Sequence, residues 1–162
     1  MKSENYIKIE FPSRSVNEGF ARAAAAAFAA QLDPTLEELG DIRTAVSEAV
    51  TNCIVHAYRE KIDKVYITAS IYPDSRIVIK IKDNGCGIAD VKKAMEPLFT
   101  TAPEEERAGL GFAVMESLMD KVKVSSKLGK GTTVTLEKKI LSKGSAREML
   151  PEGENHAHDG RA

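Results

Sequence analysis

Between Asn5 and Phe11 ("NYIKIEF") apolar and polar residues alternate, the period of a strand with one buried face, and Pro12 closes the run. Ser15 and Glu18 in "SVNE" then have the spacing of a capping box and precede "GFARAAAAAFAAQL", whose alanines are strong helix formers. Asp33 is the expected cap of a second helix, with Pro34 in its first turn. Leu36, Leu39, Ile42, Ala45, Val46, Ala49 and Val50 keep helical spacing from there, and the helix is expected to run to about His56, weakened at Gly40. "KVYITASIY" and "RIVIKIK" read as paired strands joined through Pro73 and Asp74, the second leading straight into "DNGCGI".

Asp90 to Met95 fits a short helix. "EPLFTTAPEEERAGLG" holds no sustained period and reads as a loop, "GFAVMESLMD" is helical, and "KVKVSSK" with "TTVTLEKKI" forms a hairpin around "LGKG". The order β, α, α, β, β, loop, α, β, β predicts an α+β fold, a two-layer sandwich of a mixed β-sheet with helices on one face. Residues 1–141 form one domain in this reading, and 142–162, polar and without apolar period, form a disordered tail.

Composition narrows the function classes. The 162 residues are 43% hydrophobic and 29% charged with a net charge of −1, so no general affinity for nucleic acid or anionic lipid is expected. No apolar run reaches the roughly 20 residues of a membrane helix, and "MKSENYIKIEF" lacks the apolar core of a signal peptide, which together predict a cytoplasmic protein. Cys53 and Cys86 form neither a disulfide framework nor a metal spacing and read as reduced, structural thiols. His156 and His158 in the tail are too few for a closed metal site.

Candidate chemistry begins in "SEAVTNCIVHAY", where Glu48 and Asn52 stack one turn apart on a single helix face, with His56 a further turn along. A solvated edge is the plain alternative for such a pair. In "DNGCG", Asp83 ends a strand, and Gly85 and Gly87 permit positive φ and close approach of a ligand to the backbone. An aspartate there can accept a hydrogen bond from the exocyclic amine of adenine; a simple turn is the alternative. "GLG" at Gly109 to Gly111 opens a helix whose free N–H groups suit a phosphate chain, and Arg107 stands just upstream; a loop-to-helix junction and a solvated arginine are the competing accounts. "GKGTT" lacks the spacing of a phosphate loop and precedes a strand, so it reads as a hairpin turn.

The succession of these segments resembles the Bergerat-type ATP-binding fold shared by gyrase, the Hsp90 chaperones, histidine kinases and the mismatch-repair protein MutL. More closely, "FARAAAAAFAAQLDPTLEEL", "SEAVTNCIVHAY", "PLFTTAPEEERAGLGFAVMESLMD" and "GTTVTL" resemble the anti-sigma-F factors of sporulating bacteria over nearly all of Asn5 to Ile140. The resemblance implies a homodimeric serine-protein kinase that holds a sigma factor inactive and phosphorylates an anti-anti-sigma protein, using ATP/ADP and Mg2+. It implies Glu48 as base, Asn52 as magnesium ligand, Asp83 as adenine reader with Thr132 assisting, and Gly85 and Gly87 beneath the nucleotide. Thr100 and Thr101 would belong to a lid, Arg107 would approach the γ-phosphate, Gly109, Gly111 and Phe112 would present backbone to the phosphates, and Arg22 would contact protein partners.

Two positions depart from that family. Ala102 stands where its lid commonly has lysine, and Ala57 where glycine often follows the histidine. A stress-response anti-sigma-B type kinase, and an ATP-dependent sigma-sequestering module with little transfer activity, are the alternative readings.

Overall fold

The computed structural model describes residues 1–96 and 110–141. Strand β1 (Asn5–Pro12) leads to helix α1 (Val16–Ala29), a short 3-10 turn (Ala30–Leu32) and helix α2 (Leu36–Asn52), which widens into a π-helical turn over Cys53–Ala57. Strands β2 (Lys64–Tyr72) and β3 (Arg76–Asp83), helices α3 (Val91–Met95) and α4 (Leu110–Leu118), and strands β4 (Lys121–Lys127) and β5 (Gly131–Lys139) complete the described chain. The five strands lie in the order β1-β2-β3-β5-β4. All four ladders are antiparallel, which corrects the mixed sheet expected from the element order. The chain turns back between each pair of neighbours in the sheet, and the path from β3 through α4 returns β5 antiparallel to β3.

The α+β class and the one-sided helical layer hold. On the inner face Val65, Ile67, Ala69, Ile77, Ile79, Ile81, Val134 and Leu136 meet Ile42, Val46, Ala49 and Val50 of α2 and Met115 of α4. Alternation sends Tyr66, Thr68, Lys80, Lys82, Thr133 and Thr135 to the other, open face. The alanines of α1 that are buried, Ala21, Ala25, Ala26 and Ala29, carry little side-chain bulk, which lets α1 pack closely on α2.

The caps differ from those expected. Ser15 itself has helical backbone angles and makes no side-chain cap, because Glu18 turns instead toward α2, where the Ser47 hydroxyl donates to it. Asp33 adopts a left-handed conformation (φ 50°) that ends the 3-10 turn, and the cap of α2 passes to Thr35. Thr35 Oγ1 accepts from the Glu38 N–H at 3.2 Å, and Glu38 Oε2 accepts from the Thr35 N–H at 2.9 Å. Lys138, buried on β5, donates to the Leu118 carbonyl at 2.7 Å and pairs with Asp41 at 3.1 Å, so the C-terminal end of α4 is held to α2 through the sheet.

A Cβ added at Gly40 within α2 would meet nothing within 4 Å, and the residue has no positive φ. Gly40→Ala is therefore expected to stabilise the fold by up to about 1 kcal/mol through helix propensity and a less flexible unfolded chain. Urea denaturation checks this: the midpoint should rise with the m-value unchanged.

Candidate functional site

A cavity of about 690 Å³ lies between α2 with its π-helical turn, the turn after β3, α3, α4 and the core face of β5. Asn52, Cys53, His56, Asp83, Phe112 and Thr132 are among its lining residues. Two polar ends define it.

At the first end, Asp83 is 4% exposed, and its carboxylate is almost fully engaged. Oδ1 accepts from the Gly85 N–H at 2.9 Å and the Thr132 N–H at 3.2 Å, while the Cys53 thiol donates to Oδ2 at 3.6 Å. Burial raises the Asp83 carboxyl above its ordinary range, against those bonds, which pull the other way. Burial likewise raises the Cys53 thiol, with the Asp83 charge adding to it, so Cys53 stays protonated as a donor. Of the carboxylate's acceptor sites, those left for a ligand in the cavity are on Oδ2.

The turn that follows is wedged between two backbones. A Cβ on Gly85 would lie 2.4 Å from the Ala57 carbonyl oxygen, and one on Gly87 2.3 Å from that of Lys127. Gly87 has φ +73°; Gly85 does not have a positive φ, so its requirement is close approach alone, a correction to the joint expectation for the pair. The π-helical turn explains the approach from one side: widening the last turn brings the Ala57 carbonyl to the Cys86 N–H at 3.1 Å. Tyr58 adds a second tie, accepting from the Asn84 N–H at 2.6 Å and donating to the Lys64 carbonyl at 2.7 Å. Its phenol is pushed up to about 12, chiefly by burial.

At the other end, Glu48 and Asn52 do share a face, and that face meets the start of α4. A Cβ placed on Gly111 would lie 3.2 Å from Glu48 Oε2 and 3.4 Å from both Asn52 Oδ1 and Nδ2. Asn52 Nδ2 is buried without a hydrogen-bond partner among the described residues. An unpaired buried amide is costly unless a ligand completes it, so this one marks a place where an oxygen-rich group would be received. No cluster of three metal-ligating side chains occurs among the described residues. Mg2+ is typically held by one or two protein groups together with substrate phosphates. The side-chain oxygen of Asn52 fits such a role, with Gly111 leaving room for the Asn52 and Glu48 side chains where a Cβ would crowd them.

Phe112 is buried beside Gly111 and lines the cavity, and Thr132 is buried at its far end. Thr100, Thr101, Arg107 and Gly109, with Ala102, lie outside the described residues. Arg22 stands apart, on α1, where it pairs with Glu18 at 3.4 Å and borders a second cleft with Arg43, Thr44 and Ser47. Cys86 proves exposed, at the rim of the main cavity, not buried as a structural thiol would be. His56 also lines the cavity, its imidazole lowered by burial and then by Arg59. Cys53 as a donor to Asp83, Tyr58 as a tie to Asn84 and Ser126 as a link from Ile88 to Thr132 escaped the sequence reading, because each joins residues far apart in the chain and none sits in a recognisable spacing.

The histidine kinase-like ATPase domain family matches residues 11–138. The chain is 58% identical over 140 residues to the anti-sigma F factor of Caldanaerobacter subterraneus subsp. tengcongensis, covering 86% of this chain and 97% of that protein. It is 53% identical to the anti-sigma F factor of a Clostridium botulinum strain, covering 85% and 96%. Among solved structures, the RsbU and RsbW domains of a Mycobacterium tuberculosis protein match with a TM-score of 0.63 at 20% identity, over 84% of this chain and 32% of that one. The histidine kinase domain of a blue-light activated histidine kinase from Erythrobacter litoralis matches with a TM-score of 0.51 at 19% identity, over 76% and 61%. At these identities the solved structures speak to the fold alone.

To receive an adenine amine Asp83 would have to be a carboxylate, since protonation removes an acceptor. Affinity for ADP should therefore be full above the raised Asp83 pKa and decline as the pH falls through it, at a higher pH than an ordinary aspartate would give. Titration of a fluorescent ADP analogue across the acid range measures this. Asp83→Asn should bind weakly and lose that inflection.

Proposed function

As a member of the anti-sigma F factor family, built on the histidine kinase-like ATPase domain, the chain is an ATP-binding regulator, and we propose that it is a serine-protein kinase. In this reading it holds a sporulation sigma factor inactive and phosphorylates an anti-anti-sigma protein. The observation that carries the reading is a cavity lined by Asp83, Thr132 and Asn52, with the Asn52 side chain also lying beside Glu48 and against Gly111 at the start of α4.

Adenine enters at Asp83, its exocyclic amine donating to Oδ2. The phosphates extend toward the N-terminal end of α4, beside Asn52, where the helix dipole favours negative charge. Asn52 would be the protein ligand of Mg2+, which when bound offsets charge on the β- and γ-oxygens. The partner's serine oxygen attacks the γ-phosphorus, the bond to the β–γ bridging oxygen breaks, and ADP leaves. Glu48 takes the serine proton. The protein mostly positions and neutralises, since phosphoryl transfer asks little covalent work of it. Arg107 would complete the charge neutralisation at the γ-phosphate.

Partner contact in this reading centres on α1 and α2. Arg22 and Arg43 give their cleft a positive character suited to an acidic side chain of the partner. Val16 and Phe20, one turn apart on α1, are 80% and 58% exposed, an apolar pair that favours a protein neighbour, a second copy of the chain included.

Incubating the chain with ATP and, separately, with candidate sigma and anti-anti-sigma partners should yield phosphoserine on the latter alone. Glu48→Ala should keep ATP binding and lose transfer by about a hundredfold or more. Transfer at the parental rate would remove Glu48 from its role, and ATP-dependent sigma capture without any phosphoserine would favour the sequestering module. Arg22→Glu should weaken sigma capture by at least about tenfold, read by pull-down or calorimetry; undiminished capture would make Arg22 a bystander.

A further inference from the structure

Behind Thr132 stands a hydroxyl that no part of the mechanism above uses. Ser126, half-buried on β4, makes three contacts at once. Its Oγ accepts from the Ile88 N–H at 2.8 Å, donates toward the Gly131 carbonyl at 3.1 Å, and lies 2.8 Å from Thr132 Oγ1, where either oxygen can be the donor. Ser126 thereby joins the turn after β3, which carries Ile88, to the β5 residue at the adenine end of the cavity.

A serine hydroxyl has one hydrogen to give. With the Ile88 N–H occupying an acceptor site, two arrangements remain. If the Ser126 hydrogen goes to Gly131, Thr132 must donate to Ser126, and the Thr132 lone pairs are what the cavity meets. If it goes to Thr132 instead, the Thr132 hydrogen is free to point into the cavity, and the Gly131 carbonyl loses that donor. The first satisfies all three contacts together.

We propose that Ser126 is a specificity-determining positioning residue: by taking the Thr132 hydrogen it locks that hydroxyl as an acceptor toward the nucleotide base. The cavity wall then offers acceptors on two residues joined by a backbone N–H hydrogen bond, Thr132 Oγ1 and Asp83 Oδ2. A 6-amino purine, with two N–H groups, complements such a wall. A 6-oxo purine brings an acceptor to the same place and leaves buried oxygens facing one another, and unpaired buried polar groups are what produce strong rejection of an analogue. Selectivity on this account depends on a side chain that does not touch the base. The inference rests on the reading of the cavity as an adenine nucleotide site.

The test compares dissociation constants for ADP and IDP, whose bases differ at the 6-position and in the hydrogen that N1 carries in the 6-oxo base, using the full chain. Ser126→Ala frees the Thr132 hydroxyl to rotate and donate to a 6-oxo group. ADP binding should weaken while IDP binding holds or improves, narrowing the IDP-to-ADP ratio by about five- to tenfold, the worth of one ordinary hydrogen bond. Ser126→Thr keeps a hydroxyl and should keep the parental ratio. Ser126→Cys, close in size but a weak donor and acceptor, should narrow the ratio even if the alanine variant proves unstable. The double variant Ser126→Ala/Thr132→Val should match Thr132→Val alone, since Ser126 acts through Thr132.

A merely structural Ser126 would weaken both nucleotides alike and leave the ratio unchanged, and that result overturns the proposal, as does strict additivity in the double variant. A parental chain that binds ADP no better than IDP overturns the adenine reading and this inference with it. A clear parental preference that survives in both Ser126→Ala and Ser126→Cys overturns this inference only.

Discussion

The close approach of the turn after β3 to two other backbones is the constraint on which the site depends. Asn84 to Gly87 passes between the Ala57 carbonyl on one side and the β4–β5 hairpin on the other, at separations that leave no room for a Cβ at Gly85 or Gly87. Gly131 contributes from the hairpin, where a Cβ would lie 2.2 Å from the Asp83 carbonyl oxygen. Without these contacts the Asp83 carboxylate would lose the Gly85 and Thr132 N–H groups that fix it. The turn is thus less a flexible connection than a spacer whose thickness is set by missing side chains.

From that constraint the rest of the cavity follows. The π-helical turn at Cys53–Ala57 aims a carbonyl at the turn, Tyr58 ties the turn to the start of β2, and Cys53 supplies a donor to Asp83 from the same helix that bears Glu48 and Asn52. One helix therefore serves both ends. Its regular portion presents the carboxylate and amide to Gly111, and its widened end helps fix Asp83, so the two ends keep their separation as long as α2 keeps its place on the sheet. Lys138 contributes to that place by joining Asp41 to the C-terminal carbonyl of α4.

Polar groups at this site are paired wherever the protein itself can pair them. Asp83 is nearly saturated, and Ser126 spends its one hydrogen and its acceptor capacity on three neighbours. Asn52 Nδ2 is the contrast, buried and unpaired among the described residues at the end where phosphates would arrive. Such unevenness has a physical meaning: the Asp83 end is prepared in advance, whereas the Asn52 end keeps a desolvation cost that a polar ligand would relieve.

Much of this was legible in the chain alone. Periodicity located the five strands and the main helices to within a residue or a few, because burial on one face imposes a period that local sequence must carry. The stacking of Glu48 on Asn52 follows from helical rotation and needs no tertiary information. What the tertiary structure decided are choices between near-equivalent local options. Glu18 had both Ser15 and Ser47 within reach and took the distant hydroxyl; Asp33 and Thr35 both had capping chemistry, and Glu38 selected Thr35. The β1–β2 and β3–β5 pairings, the hydrogen bond from Cys86 to the π-helical turn and the tie from Ile88 to Ser126 depend on partners tens of residues away, whose energies no local pattern records. Sequence fixes which groups are available within a few residues of one another; only the closing of the sheet against the helices determines which of them meet.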